Sequence, residues 1–341
     1  MTTELVTTTP NGLEIAGQMA NGHAARAAFG DYQSRKADNT LRRQRGDLVL
    51  FADFLAAAGI PAAPTGDALY STPDAWRGIT WGLVEAWRNW SLQQGYSVGS
   101  VNVRLSTVKT YAKLAAKAGA LDPVEMAMIR NVGGYSHKEG KRVDSRREVT
   151  RRGSKKADSV SLTPAQIKAL KKQPNTPQGR RDAVIMCLLL DHGLRVGELA
   201  RLDVTAVNLA RGTLTFYRPK VDMTQTHKLS RDAKAALKAY IEAGDAPAMG
   251  KLLRASYSAS RLGNAGISER NLSERVRYLA GLVDIDGLSA HDLRHAWATQ
   301  AARNNTPIDR LQQAGGWSSP AMPLRYVEAA AVANDGVNLG E

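Results

Sequence analysis

Residues 291–295 read His-Asp-Leu-Arg-His, residues 314–317 read Ala-Gly-Gly-Trp, and a lone tyrosine, Tyr326, follows nine positions later. A tyrosine hydroxyl, whose ordinary pKa is about 10, is a weak nucleophile. It becomes useful beside groups that take its proton and stabilise the charge that develops on phosphorus. Arginine, histidine and the indole N–H can all donate to phosphate oxygens. This stretch therefore predicts phosphoryl transfer through a covalent tyrosine intermediate.

A second arginine stands upstream, at the end of an apolar helical run. Residues 188–199 carry Arg195 within Gly-Leu-Arg-Val-Gly-Glu, so that Glu198 follows one helical turn later. A phosphodiester in transfer spreads negative charge over its non-bridging oxygens, and a guanidinium can give two parallel hydrogen bonds to such oxygens. Arg195 and Arg294 together predict a clamp for a phosphate.

With these residues the chain resembles the tyrosine recombinase, or phage integrase, family, and in size and spacing its two-domain Cre-type and Xer-type members. The resemblance covers residues 161–326 closely and residues 31–130 only in general character. Trp317 occupies a position where Cre-like members have tryptophan and many others have a second histidine. The motif at residues 291–295, in contrast, is more similar in sequence to that of the Xer and phage integrase members. The matching positions, in order, are Arg195, Lys220, His291, Arg294, Trp317 and Tyr326.

The resemblance implies a role for each of these residues. Arg195 and Arg294 would bind the scissile phosphate, and Glu198 would orient active-site groups. His291 would donate to a non-bridging oxygen or assist proton removal from Tyr326. Trp317 would pack against the helix of the nucleophile and offer its indole N–H to the phosphate.

Two lysines are candidates for the general acid. The resemblance implies that Lys220 protonates the departing 5′ oxygen, because it lies in the turn expected between strands 213–217 and 226–229, where the family keeps its mobile lysine. Lys228 is the alternative, although strand alternation would fix it on one face of the sheet.

Taken singly, each residue also has a structural explanation. Tyr326 and Trp317 could be packing residues, and Arg195 could form a structural ion pair with Glu198. His291 and His295 stand four apart, as metal ligands on a helix do, but Asp292 occupies the position where the metalloprotease box needs glutamate. We therefore expect no metal site, and His295 is interpreted as a buried, hydrogen-bonded support. We also expect no cofactor, because a 3′ phosphotyrosyl bond conserves the energy of the phosphodiester.

Composition agrees with a nucleic-acid partner. The 341 residues include 46 Lys and Arg against 32 Asp and Glu, which gives a formal charge of +14 and a pI near 9.9. Such an excess is expected of a protein that tracks phosphates, although charge alone does not separate DNA from RNA or a membrane surface. The single cysteine, Cys187, rules out an internal disulfide framework and is read as a core residue. The apolar runs are too short to span a membrane, so the sequence predicts a cytoplasmic protein. The family resemblance implies that it is nucleoid-associated and of prokaryotic or phage origin.

The expected fold class is mainly α (α+β), with an all-helical N-terminal core DNA-binding domain and a C-terminal catalytic domain that contains a small antiparallel sheet. Apolar periodicity predicts helices over 38–58, 72–94, 101–118 and 267–283. Another helix is expected to begin at Pro164, with Thr163 as its cap. The apolar positions expected to face inward are Val101, Leu105, Val108, Ala112 and Ala115 in the third helix, and Leu272, Val276, Leu279 and Val283 in the fourth. A three-stranded sheet is expected near 204–229. The expected segments are a flexible arm (1–30), the core-binding domain (31–137), a basic linker (138–160), the catalytic domain (161–326) and a C-terminal tail (327–341).

Basic and polar side chains on the expected helix faces and linker are candidate DNA contacts. The polar face of the helix over 101–118 is as readily explained by solvation, and a charge run such as 138–156 is normally a solvated linker. The candidates are Arg42, Arg43, Ser106, Thr110, Lys113, Lys117, Arg146, Arg147, Arg151, Arg152, Arg270 and Arg277.

The function expected from the resemblance is site-specific recombination of double-stranded DNA at inverted-repeat sites by a homotetramer that holds two DNA sites. The tail would dock on a neighbouring protomer in that assembly. Three alternatives remain: a type IB topoisomerase, a non-cleaving DNA-binding protein and a hairpin-forming telomere resolvase.

Overall fold

The computed structural model describes residues 11–147, 152, 159–258 and 261–330. The chain divides into two units, Met1–Lys155 and Lys156–Glu341, and the division falls inside the basic segment that the sequence predicts as a linker. The expected class, mainly helical with small antiparallel sheets, is confirmed. No helix in the described ranges is long and apolar enough to cross a membrane.

The first unit is helical throughout its described residues, with one short 3-10 helix at Pro73–Trp76. Its α-helices are α1 (Gly12–Ser34), α2 (Asp38–Ala57), α3 (Gly66–Ser71), α4 (Trp81–Gln93), α5 (Val98–Lys117), α6 (Pro123–Asn131) and α7 (His137–Asp144).

The core of this unit follows the apolar periodicity of its longest helices. All five apolar positions predicted on one face of α5, from Val101 to Ala115, are buried. Phe51 of α2 packs edge-on against Trp87 of α4 at 5.3 Å between ring centroids. Burying such rings removes large apolar areas from water, which stabilises this unit.

Two expectations for the first unit were wrong. Residues 12–30 were expected in a flexible arm, but they belong to α1, because the Asn11 side chain caps the helix and the Glu14 carboxylate accepts a hydrogen bond from the Asn11 N–H at 2.7 Å. Residues 1–10 of that arm lie outside the described residues. The helix expected over 72–94 is interrupted before α4, where Gly78 takes a positive φ of 79° and Thr80 caps the new helix.

The expected linker also contains ordered structure. Helix α7 begins with a capping box between Ser136 and Glu139. After it, Arg147 donates to the Leu92 carbonyl at 2.6 Å and to the Tyr96 carbonyl at 3.2 Å. Arg147, a candidate DNA contact, therefore holds the chain that follows α7 against the end of α4.

The second unit combines helices with two small sheets. Its helices are α8 (Pro164–Lys171), α9 (Pro177–His192), α10 (Val196–Arg201), α11 (Arg231–Glu242), α12 (Glu269–Gly281), α13 (Ala290–Arg303), α14 (Ile308–Gly315) and α15 (Ala321–Ala330), with a short 3-10 helix at Val204–Ala206. Its strands are β1 (Val207–Asn208), β2 (Thr213–Arg218), β3 (Met223–Lys228), β4 (Arg254–Ser258) and β5 (Arg261–Gly266).

The predicted three-stranded sheet is confirmed, with antiparallel order β1-β2-β3 and Thr213 opposite Lys228. The β4–β5 hairpin was not predicted. Helix α9 runs through the core and buries Val184 to Leu190, including Cys187, which confirms the expected packing role of that residue. The predicted cap of α8 by Thr163 is present, and α12 buries Leu272, Val276 and Leu279 as predicted.

Candidate active site

Six of the seven predicted site residues come from four separate helical regions of the second unit. Arg195 precedes α10 and Glu198 lies in its first turn. His291 and Arg294 lie on α13, and Trp317 follows the end of α14. Tyr326 lies on α15. A chain of side-chain and backbone contacts joins these six residues, as the following paragraphs describe.

The tight turn between α9 and α10 positions Arg195 in the site. Helix α9 ends at Gly193, whose φ of 59° is left-handed and whose missing Cβ leaves room for Trp297; an added Cβ would lie 2.2 Å from that ring. Glu198 then accepts from the Arg195 guanidinium at 2.7 Å and from the Arg195 backbone N–H at 2.8 Å. A second guanidinium nitrogen of Arg195 donates to the Gly316 carbonyl at 3.4 Å. Glu198 therefore holds the guanidinium of Arg195 through an ion pair.

Arg294 is almost fully buried, at 3% exposure. Its guanidinium donates to the carbonyl of Gly193 and, at 2.6 Å, to the carbonyl of Gly315. It also lies 4.6 Å from the centroid of the Trp317 ring. Burial, with repulsion from Arg195 and then Arg218, lowers the pKa of Arg294 to about 9. Arg294 remains charged at neutral pH, in a pocket whose electrostatics favour the arrival of an anion.

Tyr326, the candidate nucleophile, packs against the ring of Trp317. The rings of Trp317 and Tyr326 lie 5.6 Å apart, which matches the expectation that Trp317 packs against the helix of the nucleophile. Gly315 permits this arrangement, because a Cβ there would lie 2.0 Å from the Trp317 ring. Burial raises the pKa of Tyr326, and the nearby Arg294 and Arg195 offset part of that rise. The phenol is therefore protonated at neutral pH and needs a base to react.

One of two paired histidines on α13 lies beside the phenol. His291 and His295 meet through their Nε2 atoms at 2.9 Å, and the His295 ring lies edge-on to Tyr326 at 5.2 Å. Burial, with repulsion from His295 and Arg294, lowers the pKa of His291. A neutral imidazole can accept a proton, as a general base must. Within the described residues there is no cluster of three or more possible metal ligands.

Lys220 lies where the sequence places it, in the turn between β2 and β3, and it is exposed. Lys228 is exposed at the end of β3, opposite Thr213. The contacts of the described residues do not join Lys220 to the other six site residues. Lys220 is connected to the other site residues through the backbone of the β2–β3 hairpin, which leads to a buried residue that was not predicted to belong to the site.

That residue is Arg218, which is fully buried and binds Glu198 at 2.8 Å. A signal for it exists in the sequence, because Leu214, Phe216 and Arg218 alternate on the same face of β2 and a charge on an apolar face requires a buried partner. His295 was expected only as a buried support, and the structure places it half-buried against Tyr326.

The candidate DNA contacts lie in different settings. Ser106, Lys113 and Lys117 are exposed on α5, and Thr110 is half-buried beside them. Several others are partly engaged within the protein, and Arg151 lies outside the described residues. The engaged pairs are Arg42 with Asn39 at 3.2 Å, Arg43 with Asp47 at 2.5 Å, Arg270 with Glu274 at 2.9 Å, and the backbone N–H of Arg152 with Gly95 at 2.6 Å; Arg146 and Arg277 are exposed.

Known proteins resemble this chain over most of its length. The XerD tyrosine recombinase of Pseudomonas putida is 26% identical over 299 residues, which covers 86% of this chain and 88% of the relative. The XerC tyrosine recombinase of Corynebacterium efficiens is 27% identical over 236 residues and 69% of each chain.

Two solved structures share the fold. A lambda integrase dimer bound to a COC′ core site superposes with a TM-score of 0.59 at 16% identity, over 89% of this chain and 94% of that chain. The Tn1549 transposon integrase in complex with transposon right end DNA gives a TM-score of 0.60 at 14% identity, over 92% and 96%. A sequence model of the phage integrase family matches residues 161–332, half of the chain. Together with the arginine, histidine and tyrosine site, this match shows that the chain belongs to the phage integrase family, that of the tyrosine recombinases.

Proposed function

We propose that this chain is a site-specific DNA recombinase that cuts and rejoins duplex DNA through a 3′-phosphotyrosyl intermediate at Tyr326. The proposal rests above all on the position of the Tyr326 ring, which lies against Trp317 while Trp317 in turn lies 4.6 Å from the buried guanidinium of Arg294. A phosphate bound by Arg294 and Arg195 lies within the same group of side chains as the phenol.

In the proposed reaction the Tyr326 oxygen attacks the scissile phosphorus and the 5′ oxygen of the next nucleotide leaves. His291, neutral at pH 7, takes the phenol proton directly or through His295. Arg195 and Arg294 stabilise the charge that develops on the non-bridging oxygens. Lys220 gives a proton to the 5′ oxygen. The phosphotyrosyl ester retains the energy of the original bond, so a 5′ hydroxyl of another strand can reverse the reaction.

The partners follow from the same chemistry. We propose double-stranded DNA with inverted-repeat target sites, held two at a time by a homotetramer, and the charge of +14 supports binding to nucleoid DNA. Trp317 in the active site favours a Cre-like variant of the site. The segment after Tyr326 is helical up to Ala330, and we propose that the tail, residues 327–341, docks on a neighbouring protomer.

The test uses duplex DNA that the protein enriches from a random pool, cloned twice into one supercoiled plasmid. Recombinant circles are the expected product. Relaxed plasmid without recombinants would indicate a topoisomerase, and unchanged plasmid that is nevertheless bound would indicate a non-cleaving DNA-binding protein. Either of the last two results would contradict the proposed function.

A further inference from the structure

Arg218 is a charged side chain with no exposed surface, at the end of β2 and two residues before Lys220. Its guanidinium donates to Gln225 at 2.6 Å, to Glu198 at 2.8 Å and to the Ala314 carbonyl at 2.7 Å. A buried charge costs several kcal/mol unless its partners satisfy it. One side chain therefore binds β3, α10 and the end of α14 at once.

The backbone carbonyls at the end of α14 accept hydrogen bonds from a row of side chains. The last carbonyls of a helix lack partners within the helix and carry partial negative charge, so they favour cationic donors. Here four successive carbonyls accept from four side chains: Gln313 from Gln225 at 2.7 Å, Ala314 from Arg218 at 2.7 Å, Gly315 from Arg294 at 2.6 Å and Gly316 from Arg195 at 3.4 Å.

The backbone at the end of this row is shaped to fit Arg218. Gly316 has a left-handed φ of 58°, and a Cβ built there would lie 2.5 Å from Cδ of Arg218. The glycine therefore supplies both the turn that leads into Trp317 and the space that the buried guanidinium stem occupies.

The phosphate-binding arginines do not depend on Arg218 for their own positions. Arg195 keeps the first carboxylate oxygen of Glu198 and the Gly316 carbonyl, and Arg294 keeps the carbonyls of Gly193 and Gly315. The β2–β3 hairpin, in contrast, reaches α10 through Arg218, and it reaches the end of α14 through Arg218 and Gln225. Loss of Arg218 would therefore disturb chiefly the hairpin that carries Lys220.

We infer that Arg218 is a positioning residue that anchors the β2–β3 hairpin to the phosphate-binding arginines and so sets the place from which Lys220 protonates the leaving group. This inference rests on the proposed function. Arg218 itself is buried and touches neither the phosphate nor the leaving oxygen. Its effect is exerted through the hairpin.

The test separates leaving-group protonation from all other steps. Single-turnover cleavage is measured on the duplex that the protein enriches from a random pool, once with the ordinary phosphodiester and once with sulfur in place of the scissile 5′ oxygen. A thiol has a pKa of about 8.5, far below that of an alcohol, so the departing thiolate needs no proton. Loss of the general acid is therefore rescued by the sulfur substrate, and loss of phosphate binding is not.

The variants are Arg218→Met and Gln225→Met, with Lys220→Ala and Arg195→Ala as references. Gln225→Met keeps the Arg218–Glu198 pair and removes the hydrogen bonds of Gln225. It replaces Arg218→Met in the test if circular dichroism shows that Arg218→Met does not fold. We expect Arg218→Met and Lys220→Ala to lose roughly 100-fold or more on the ordinary duplex, the scale of general acid catalysis, and both to recover most of that loss on the sulfur duplex. Gln225→Met should show a smaller loss with the same recovery, and Arg195→Ala should not recover. DNA binding should change little in all four, because many other phosphate contacts remain.

The inference would be overturned if Arg218→Met lost the same factor in cleavage rate on both substrates. It would also be overturned if Lys220→Ala cleaved the ordinary duplex at the wild-type rate. If Arg218→Met is unfolded, the same criteria apply to Gln225→Met. A wild-type chain that cleaves neither duplex contradicts the proposed function itself, which distinguishes the two failures.

Discussion

At the scale of single residues, the site is organised around arginines that are held before any phosphate arrives. Arg294 is fixed by the carbonyls of Gly193 and Gly315, and Arg195 by Glu198 and the Gly316 carbonyl. Donors that are already aimed need little reorganisation during the reaction, which is where their contribution to catalysis arises. In the proposed reaction, the row of carbonyls at the end of α14 therefore positions the two arginines that would bind the phosphate.

The protonation of His291 gives a prediction at this scale. Burial, then repulsion from His295 and Arg294, lowers the pKa of His291, while Asp292 offsets part of the effect. If neutral His291 accepts the proton of Tyr326, the cleavage rate should fall only at pH values below the ordinary histidine pKa of about 6.5. The measurement is the single-turnover cleavage rate as a function of pH.

His295→Gln supplies the control for this pH profile. The substitution removes the repulsion from His295, so the pKa of His291 should rise and the acid limb should move to higher pH. His291→Asn should abolish the limb and lower the rate by about 100-fold or more. An acid limb that stays in place in both variants would assign it to another group.

Most of the candidate site could be predicted from residue types and spacing, because the arginine, histidine, tryptophan and tyrosine positions carry the chemistry in a fixed order. Arg218 was missed because its importance depends on burial, and burial was not inferred from the alternation along β2. His295 was seen as a support, since only the fold places its ring beside Tyr326.

At the scale of elements, glycine turns at the ends of α9 and α14 bring the site together. Gly193 and Gly316 both take left-handed φ values, and in both cases a side chain of the site or its surroundings fills the space beside them. Each turn also presents a carbonyl to an arginine. The ends of α9 and α14 therefore fix the positions of Arg294 and Arg195 in the site.

Gly193→Ala tests the turn after α9. A left-handed backbone costs an alanine about 1–2 kcal/mol, and the added Cβ would also meet the Trp297 ring at 2.2 Å. Overpacking of this kind costs about 1–3 kcal/mol more. The matched control is Gly287→Ala, where φ is 66° and nothing lies within 4 Å of the added Cβ.

The free energy of unfolding, measured by denaturant titration, should therefore fall more for Gly193→Ala than for Gly287→Ala. Cleavage should fall as well in Gly193→Ala alone, because the Gly193 carbonyl holds Arg294. Equal losses of stability in the two variants would show that Trp297 adapts without cost and that the close packing described here does not matter.

The elements that the sequence predicted well are those whose apolar residues repeat over several turns, such as α2, α5 and α12. The errors arose where capping decides. Asn11 and Glu14 begin a helix in a segment with little apolar periodicity, and Gly78 with the cap at Thr80 divides a region that periodicity alone joined. The β4–β5 hairpin was missed because its residues show no clear alternation; β5 is largely exposed.

At the scale of the whole molecule, a formal charge of +14 accompanies a catalytic unit that forms only half of the chain. Charge of this kind supplies binding that is independent of sequence and sensitive to salt. The phosphate-binding arginines add little to that total, so their removal should affect the rate of cleavage far more than binding.

Truncation after Ala329 tests the proposed assembly. A segment as short as residues 330–341 is not stable alone in water, so the proposed docking needs a surface on a neighbouring protomer. A contact passed from each protomer to the next can close into a ring. The truncated chain should bind a single site normally, but its tetramer on two sites, measured by sedimentation, and its recombination should both be weakened. Recombination at the full rate would place the contact between protomers elsewhere.

The central claim is that Tyr326 forms the covalent bond to DNA, and it is tested most directly by trapping that bond. The wild-type chain is incubated with a nicked duplex that carries the enriched site, denatured, digested and analysed by mass spectrometry. We predict a 3′-phosphonucleotide on Tyr326, and we predict that Tyr326→Phe, which removes one oxygen and little volume, binds the duplex but forms no adduct. An adduct that survives denaturation in Tyr326→Phe, or one that maps to another residue in the wild-type chain, would contradict the claim.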